Sequence, residues 1–108
     1  IWKMNYPKKS LGQNFLIDKN IINKIIKLCS IKDKHVLEIG PGKGNLTDAI
    51  LEQKPKSLII IEKDLELANY LRRKYNKNKK VKVYNDDILN FNIEEFTKNN
   101  SIIFGNLP

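Results

Sequence analysis

The stretch from Val36 to Thr47 constrains the fold more than any other part of this sequence. An apolar, strand-like run ends in glycines at alternate positions, Gly40, Gly42 and Gly44, and then continues as helix-compatible sequence. Glycines at such a strand-to-helix turn let bare backbone approach a ligand. The stretch therefore predicts a nucleotide-type binding loop, with a tight turn that binds nothing as the open alternative.

The spacing of these glycines favours one class of ligand. The dinucleotide fingerprint G-x-G-x-x-G would place its third glycine at position 45, which is Asn45. A pyrophosphate needs several free backbone N–H groups, whereas a ligand without phosphate needs close approach and a few directed hydrogen bonds. The pattern therefore favours a nucleoside ligand such as S-adenosylmethionine, and a nicotinamide-dependent oxidoreductase is the competing class.

Short apolar runs alternate with segments of helical period along the rest of the chain. We predict strands at 35–39, 58–61, 81–84 and 101–104. The helices between them have apolar stripes from Leu46 to Ile50 and from Leu65 to Tyr75, and one helical turn is expected around 93–97. This alternation predicts an α/β fold, a parallel sheet with helices on both faces.

A helix is also predicted before the first strand, with Asp18 as its N-cap. Its buried stripe consists of Ile21, Ile22, Ile25, Ile26 and Cys29. We expect Cys29 to be a small core residue and His35 to have a structural role, because no second metal-type ligand lies at useful spacing from it. Residues 1–10 form a basic N-terminal arm in this interpretation.

A residue with chemical potential follows each predicted strand. These residues are Gly40, Glu62, Asp87 and Asn106. Ligands of open α/β sheets bind at the carboxyl ends of the strands, so the four positions should converge. Glu62 lies 22 positions after Gly40, where a carboxylate can accept hydrogen bonds from both ribose hydroxyls.

Two further acids complete the predicted site. Asp87 can accept a hydrogen bond from the exocyclic adenine amine while the Ile88 N–H faces a ring nitrogen, and Asp86 is the competing choice for that role. Glu38, inside the first strand, lies near the methionine ammonium or caps loop backbone, and both alternatives stay open here. We expect no metal site.

Charge and cysteine content limit the class of protein. The 108-residue chain has a formal net charge of +8, and such an excess attracts polyanions. One basic run holds Arg72, Arg73, Lys74, Lys77, Lys79, Lys80 and Lys82, and a second cluster holds Lys3, Lys8 and Lys9. A solvated helix end is the alternative interpretation of the first run. A single cysteine predicts a reducing compartment, either the cytoplasm or an organelle interior, and no apolar run approaches the roughly 18 residues of a membrane span.

Five motifs in order resemble the KsgA-type rRNA adenine N6-dimethyltransferases. They are Gln13-Asn14-Phe15-Leu16, Glu38-Ile39-Gly40-Pro41-Gly42, Ile61-Glu62-Lys63-Asp64, Asp87-Ile88-Leu89 and Phe104-Gly105-Asn106-Leu107-Pro108, and the resemblance covers about residues 8–108. It implies a Rossmann-like class I methyltransferase that uses S-adenosylmethionine to dimethylate adjacent adenines near the 3′ end of small-subunit rRNA, in ribosome biogenesis. The implied partner is the pre-ribosomal small subunit, and we expect a monomer.

The resemblance also assigns site residues. The implied cofactor contacts are Asn14, Leu16, Gly40, Glu62, Asp87 and Asn106, and we also expect contacts from Gln13, Glu38, Gly42, Gly44 and Ile88. The implied catalytic residues are Asn106, Leu107 and Pro108. The Asn106 side chain and the Pro108 carbonyl would accept the N6 hydrogens of adenine, and orientation and electrostatics would supply the catalysis without a general base or a metal.

The sequence departs from the family pattern at its end. An aromatic residue, later strands and a small C-terminal helical domain are expected after Pro108, so we interpret 11–108 as the N-terminal part of the catalytic domain and expect the fragment alone to be inactive. The related Erm enzymes, which methylate large-subunit rRNA, share most of the motifs, but Gly-Pro-Gly after Ile39 and Leu107 after Asn106 favour the KsgA type. A non-enzymatic ribosome-assembly or transcription factor on the same scaffold is a further alternative.

Overall fold

The computed structural model describes residues 19–95 and 101–105. Its elements, in chain order, are α1 (Lys19–Leu28), β1 (His35–Ile39), α2 (Asn45–Glu52), β2 (Ser57–Ile61), α3 (Leu65–Lys74), β3 (Val81–Tyr84), two 3-10 turns (Ile88–Asn90 and Ile93–Glu95) and β4 (Ser101–Gly105). All four predicted strands are confirmed to within one residue at each end. The arm, the Asp18 cap, the side chains of Ile21 and Ile22 and the end of the 93–97 turn lie outside this description.

The four strands form one parallel sheet in the order β3-β2-β1-β4. Ile39 at the end of β1 is in register with Ile61 of β2 and with Gly105 of β4, and Ile61 is in register with Tyr84 of β3. All four strands therefore end at the same edge. The strand order reverses between β1 and β4, which is where ligands bind in sheets of this type.

The two faces of the sheet are covered differently. Val36, Leu58, Ile60 and Phe104 pack in one cluster with apolar residues of the three α-helices. The opposite face consists of Leu37, Ile39, Ile61 and Ile103, and Ile88, Phe91 and Ile93 of the 3-10 segment pack against it. Alternate residues of a strand point to opposite faces. The apolar runs are continuous because both faces are buried.

Local contacts explain where the elements begin and how they are joined. The Asp64 side chain N-caps α3 by accepting a hydrogen bond from Leu67 N–H at 3.0 Å. His35 Nδ1 lies 2.6 Å from Ser57 Oγ, which joins the starts of β1 and β2 and gives this histidine the structural role predicted for it. Cys29 packs against the helical face of the core, as predicted, and burial raises the pKa of its thiol. No helix within the described residues is long and apolar enough to cross a membrane.

Candidate functional site

Three of the four predicted strand-end residues lie at one edge of the sheet. Gly40 N–H donates to the Ile61 carbonyl at 2.9 Å, and Glu62 N–H donates to the Tyr84 carbonyl at 2.9 Å. These two bonds extend the hydrogen-bond pattern of the sheet by one residue beyond the ends of β1 and β2. Asp86 N–H then donates to the Glu62 carbonyl at 3.2 Å, which places Asp87 beside the end of β2.

Several predicted site residues lie outside the part of the chain that the structure describes. They are Gln13, Asn14, Leu16, Asn106, Leu107 and Pro108. Gly105, which precedes Asn106, is in register with Ile39 at the same edge.

The glycine loop between β1 and α2 adopts left-handed backbone conformations. The φ angles of Gly40, Gly42 and Gly44 are 66°, 63° and 95°. A Cβ added at Gly42 would meet nothing within 4 Å, so this glycine is required by its backbone conformation alone and borders open space. A Cβ added at Gly44 would lie 2.5 Å from the Tyr75 hydroxyl, so close packing also requires that glycine. The contact of Gly44 with a cofactor stays a prediction.

Residues at the end of α3 form hydrogen bonds with the glycine loop and with Asp48 of α2. The Tyr75 hydroxyl donates to Asp48 Oδ1 at 2.6 Å and lies 3.3 Å from the Gly44 carbonyl oxygen. Lys74 Nζ donates to the Lys43 carbonyl and to Asp48 Oδ2, both at 3.0 Å. Burial, and then the Asp48 carboxylate, raise the pKa of Tyr75, so its hydroxyl stays a donor.

This arrangement was not predicted from the sequence. There, Tyr75 belongs to an apolar stripe and Lys74 to a basic run, and no pattern singles out Asp48. A tyrosine at the end of an amphipathic helix is the one available signal, because the tip of a buried tyrosine needs a polar partner.

Glu62 presents a nearly buried carboxylate to the loop. Its Oε2 accepts a hydrogen bond from Asp64 N–H at 2.9 Å, and the N–H groups of Gly42 and Lys63 also act on the carboxylate. Burial is the largest influence and raises the pKa of Glu62, while these N–H groups oppose the shift. Because the loop backbone fixes its orientation, the carboxylate can accept further hydrogen bonds from a ligand hydroxyl.

Glu38 is a buried acid with an unused oxygen. The residue is 2% exposed, Thr47 Oγ1 donates to its Oε1 at 2.5 Å, and its Oε2 has no hydrogen-bond partner among the described residues. Burial raises the pKa of Glu38 to about 7; the Thr47 hydrogen bond opposes the shift, and the charges of Asp48 and Glu62 add to it. The side chain contacts α2, not loop backbone, so the capping alternative is wrong. A cationic donor would satisfy the free oxygen.

Asp87 begins the first 3-10 turn at the end of β3. Its Oδ1 accepts a hydrogen bond from Leu89 N–H at 2.9 Å, and its Oδ2 lies 3.4 Å from Lys63 Nζ. The Leu89 N–H and then Lys63 lower the pKa of Asp87, so this carboxylate is ionised. The competing residue, Asp86, is bonded through Oδ1 to Asp87 N–H at 2.8 Å. The side chain of Ile88 packs against the sheet.

Asn85 is a further residue that the sequence did not assign to the site. Its amide donates to the carbonyls of Glu62 and Lys63, both at 3.0 Å. It therefore ties the end of β3 to the turn that carries Glu62. Nothing in the sequence distinguishes it from other asparagines that end a strand.

Acids outnumber bases at this edge of the sheet. We name the acids the carboxyl-end cluster: Glu38, Asp48, Glu62, Asp64, Asp86 and Asp87. The lysines that accompany it are Lys43, Lys63 and Lys74, of which Lys63 and Lys74 form ion pairs with members of the cluster. Within the described residues, no group of three or more His, Cys, Asp or Glu side chains could hold a metal ion. The cluster therefore suits a small cationic ligand.

Comparisons with known proteins agree on one family. The family model described as ribosomal RNA adenine dimethylase matches residues 4–108. Ribosomal RNA small subunit methyltransferase A of Pelagibacter ubique (strain HTCC1062) is 50% identical over 101 residues, which are 94% of this chain and 38% of that protein. The protein of the same name from Protochlamydia amoebophila (strain UWE25) is 46% identical over 91 residues, 83% of this chain and 32% of that protein. The chain spans about a third to two fifths of the length of these curated relatives.

Solved structures of methyltransferases share the fold. A dimethyladenosine transferase from Plasmodium falciparum matches with a TM-score of 0.70 and 28% identity, over 84% of this chain and 32% of that one. The 23S rRNA methyltransferase ErmE matches with a TM-score of 0.68 and 29% identity, over 84% of this chain and 36% of that one. The shared region is therefore about a third of each solved chain.

Proposed function

Because the chain belongs to the ribosomal RNA adenine dimethylase family, we propose that it is the N-terminal part of the catalytic domain of an rRNA adenine dimethyltransferase. Its fold is the Rossmann-like fold of class I S-adenosylmethionine-dependent methyltransferases. The proposed reaction is transfer of methyl groups from S-adenosylmethionine to N6 of adjacent adenines near the 3′ end of small-subunit rRNA, during ribosome biogenesis. The names of the curated relatives support the choice of the small subunit.

The observation that carries this proposal is the unpartnered, buried Oε2 of Glu38, which lies two residues before the first glycine of the loop. A buried carboxylate oxygen without a donor is costly, and an ammonium group is the complementary partner. S-adenosylmethionine carries an ammonium and a sulfonium, so the carboxyl-end cluster fits its charge. A nicotinamide dinucleotide would bring a pyrophosphate against the same acids, which argues against the oxidoreductase alternative.

The other described residues of the site fit the remaining parts of the cofactor. Glu62, fixed by the N–H groups of the loop, would accept hydrogen bonds from the ribose hydroxyls. Asp87 would accept a hydrogen bond from the adenine amine, and the Ile88 N–H would face a ring nitrogen. Gly40 and Gly42 would let the backbone approach closely. The roles of Gln13, Asn14 and Leu16 are carried over from the family motif.

The target adenine requires a second set of groups. The bound cofactor supplies an electrophilic methyl group, and the N6 amine is a poor nucleophile because its lone pair is delocalised into the ring. The Asn106 side chain and the Pro108 carbonyl would accept the two N6 hydrogens and favour a pyramidal nitrogen, with Leu107 between them in the motif. A target base inside paired RNA must also turn out of its stack. Orientation and electrostatic stabilisation then account for the rate enhancement.

Replacing Asn106 by Ala in the full-length protein tests this assignment. We expect cofactor affinity to stay within about threefold, because the other contacts remain, and methyl transfer to fall by at least about a hundredfold, as for loss of one oriented polar group at a reacting centre. The measurements are calorimetric titration with S-adenosylmethionine and incorporation of labelled methyl groups into unmethylated small ribosomal subunits. Unchanged incorporation would rule out the proposed role of Asn106.

The same assay separates the alternatives. Labelling of large-subunit rRNA in place of small-subunit rRNA would identify an Erm-type enzyme, an alternative favoured by the structural match to ErmE. RNA binding without methyl transfer in the wild type would identify a non-enzymatic assembly or transcription factor. We propose a monomer that acts on the pre-ribosomal small subunit in the cytoplasm, with an organelle interior as the alternative compartment.

A further inference from the structure

Three loops far apart in sequence bring lysines together at the amino end of the sheet, opposite the site. These loops are 29–34, 53–56 and 75–80, and each leads into the start of a strand. Hydrogen bonds join them: Asp33 N–H donates to the Lys54 carbonyl at 3.1 Å, Lys56 N–H to the Lys34 carbonyl at 2.8 Å, and Lys80 Nζ to the Pro55 carbonyl at 3.4 Å. The loops therefore form one continuous surface.

We name this the amino-end lysine surface. Its members are Lys32, Lys34, Lys54, Lys56, Lys77, Lys79 and Lys80, of which Lys34 is half-buried and the others are exposed. None of the seven forms an ion pair within the described residues. The acids nearest in sequence are Asp33 and Glu52, so the surface has a large excess of positive charge.

We propose that the amino-end lysine surface binds the phosphate backbone of the RNA substrate at a second contact, separate from the site that holds the target adenine. This inference rests on the proposed function for the identity of the polyanion. The carboxyl-end cluster repels phosphate, so it is a poor source of attraction for an RNA chain. Unpaired lysines in three adjacent loops provide that attraction.

The chemistry of the surface suits sequence-independent contact. All seven cations are lysines, which act as point charges toward phosphate and lack the bidentate fork with which arginine reads guanine. A membrane surface fits less well, because Leu28 is the one large exposed hydrophobic residue in the described structure that borders these loops. A single apolar side chain does not anchor a protein in a bilayer.

Because the two ends of the sheet lie far apart, RNA binding by the lysines can be tested separately from cofactor binding at the site. A strand of five residues spans about 13 Å at 3.3 Å per residue, which exceeds the Debye length of about 8 Å at physiological salt. The charges of these lysines are therefore largely screened from the cofactor, but a folded RNA is large enough to contact both ends. Loss of the lysines should weaken RNA binding and leave cofactor binding unchanged.

The test replaces one lysine from each loop in the full-length protein: Lys32→Gln, Lys56→Gln and Lys79→Gln together. These side chains are exposed and form no hydrogen bond within the described residues. We expect affinity for unmethylated small ribosomal subunits at 0.15 M salt to fall roughly tenfold to a hundredfold, and the slope of log K against log salt to fall by about 2 to 3. Affinity for S-adenosylmethionine should not change.

The matched control is the triple variant Lys32→Arg, Lys56→Arg and Lys79→Arg, which keeps the charge and should keep wild-type RNA affinity. Wild-type affinity and salt slope in the glutamine variant would overturn the inference. Equal losses of RNA affinity in both variants would also overturn it, since charge would then not be the cause. A loss of binding to phosphatidylserine vesicles without a loss of RNA affinity would overturn it as well. Failure of the proposed function would appear differently, as absent methyl transfer by the wild type.

Discussion

The two ends of the sheet are built on opposite principles. At the carboxyl end, acids are held in fixed positions: Glu62 by loop N–H groups, Glu38 by Thr47, and Asp48 by Tyr75 and Lys74. At the amino end, seven lysines lie in turns. Among the described residues, only the ammonium group of Lys80 forms a hydrogen bond within the chain, to the Pro55 carbonyl at 3.4 Å. One end is preorganised and the other is adaptable.

This difference matches what each end would bind. A small cofactor needs directed hydrogen bonds at fixed distances, and side chains locked by neighbours provide them at low entropic cost. A phosphate backbone needs charge more than geometry, and exposed lysine side chains provide that. A comparison of the same kind of change at the two ends therefore tests how rigid each end is.

The largest difference is expected for backbone conformation. Gly44→Ala should lower the free energy of unfolding by roughly 3 to 5 kcal/mol, because a Cβ at φ +95° is strained and would lie 2.5 Å from the Tyr75 hydroxyl. At the amino end, Lys54 already holds a φ of 56° with a side chain, so Lys54→Ala should change stability by less than about 0.5 kcal/mol. Urea unfolding of the full-length variants measures both.

Two controls identify the cause. Gly42→Ala combines a φ of 63° with open space and should cost only about 1 kcal/mol, the conformational part of the penalty. In a Tyr75→Phe background the cost of Gly44→Ala should fall toward that value, since the hydroxyl that lies nearest the added Cβ is gone. An unreduced cost there would show that contact with Tyr75 is not the reason.

The next difference concerns protonation of Glu38. Burial raises the pKa of Glu38 from 4.5 to about 7, so the folded chain keeps this proton at pH values where the unfolded chain has lost it. Because the folded state binds more protons in this window, the free energy of unfolding falls as pH rises from about 4.5 to about 7. The shift corresponds to roughly 3 kcal/mol.

Glu38→Gln should remove this pH dependence, so the variant is more stable than the wild type at pH 8 and similar at pH 4. Urea unfolding across that range measures the effect. Glu66→Gln, an exposed acid in the first turn of α3, is the control and should follow the wild-type profile. Saturating S-adenosylmethionine should reduce the wild-type pH dependence if its ammonium pairs with Glu38, and an unchanged profile would contradict that pairing.

The sequence was sufficient to predict the strands, the family and the shared edge of the sheet at which Gly40, Glu62 and Asp87 lie. The strands at 35–39 and 81–84 were predicted correctly because apolar runs with clear turn signals specify strands locally. The convergence of Gly40, Glu62 and Asp87 followed from parallel topology, and the family is confirmed by the match over residues 4–108. Each of these inferences uses information that lies within a short stretch or a repeated pattern.

Contacts between distant residues could not be predicted in this way. Tyr75 and Gly44 are 31 positions apart, and only the tertiary fold brings the end of α3 against the glycine loop. The basic run at 72–82 also divides in the structure: Lys74 contacts Asp48 at the carboxyl end, whereas Lys77, Lys79 and Lys80 join lysines of two other loops at the amino end. The pattern of charges along the sequence does not predict this separation of the lysines, because the separation depends on the order of the strands in the sheet.

The smallest expected difference is in stability: removal of one lysine should have opposite effects on the free energy of unfolding at the two ends. Lys74→Gln removes a half-exposed ion pair with Asp48 and should destabilise the protein by less than about 1 kcal/mol. Lys56→Gln removes one cation from the amino-end lysine surface, where no described acid pairs with it, and should stabilise the protein by a few tenths of a kcal/mol through relief of repulsion. Both effects should shrink in 1 M salt, because screening weakens attraction and repulsion alike. If Lys56→Gln destabilised the protein instead, the lysines at the amino end would be paired in solution, and the contrast between a preorganised end and an adaptable end would not hold.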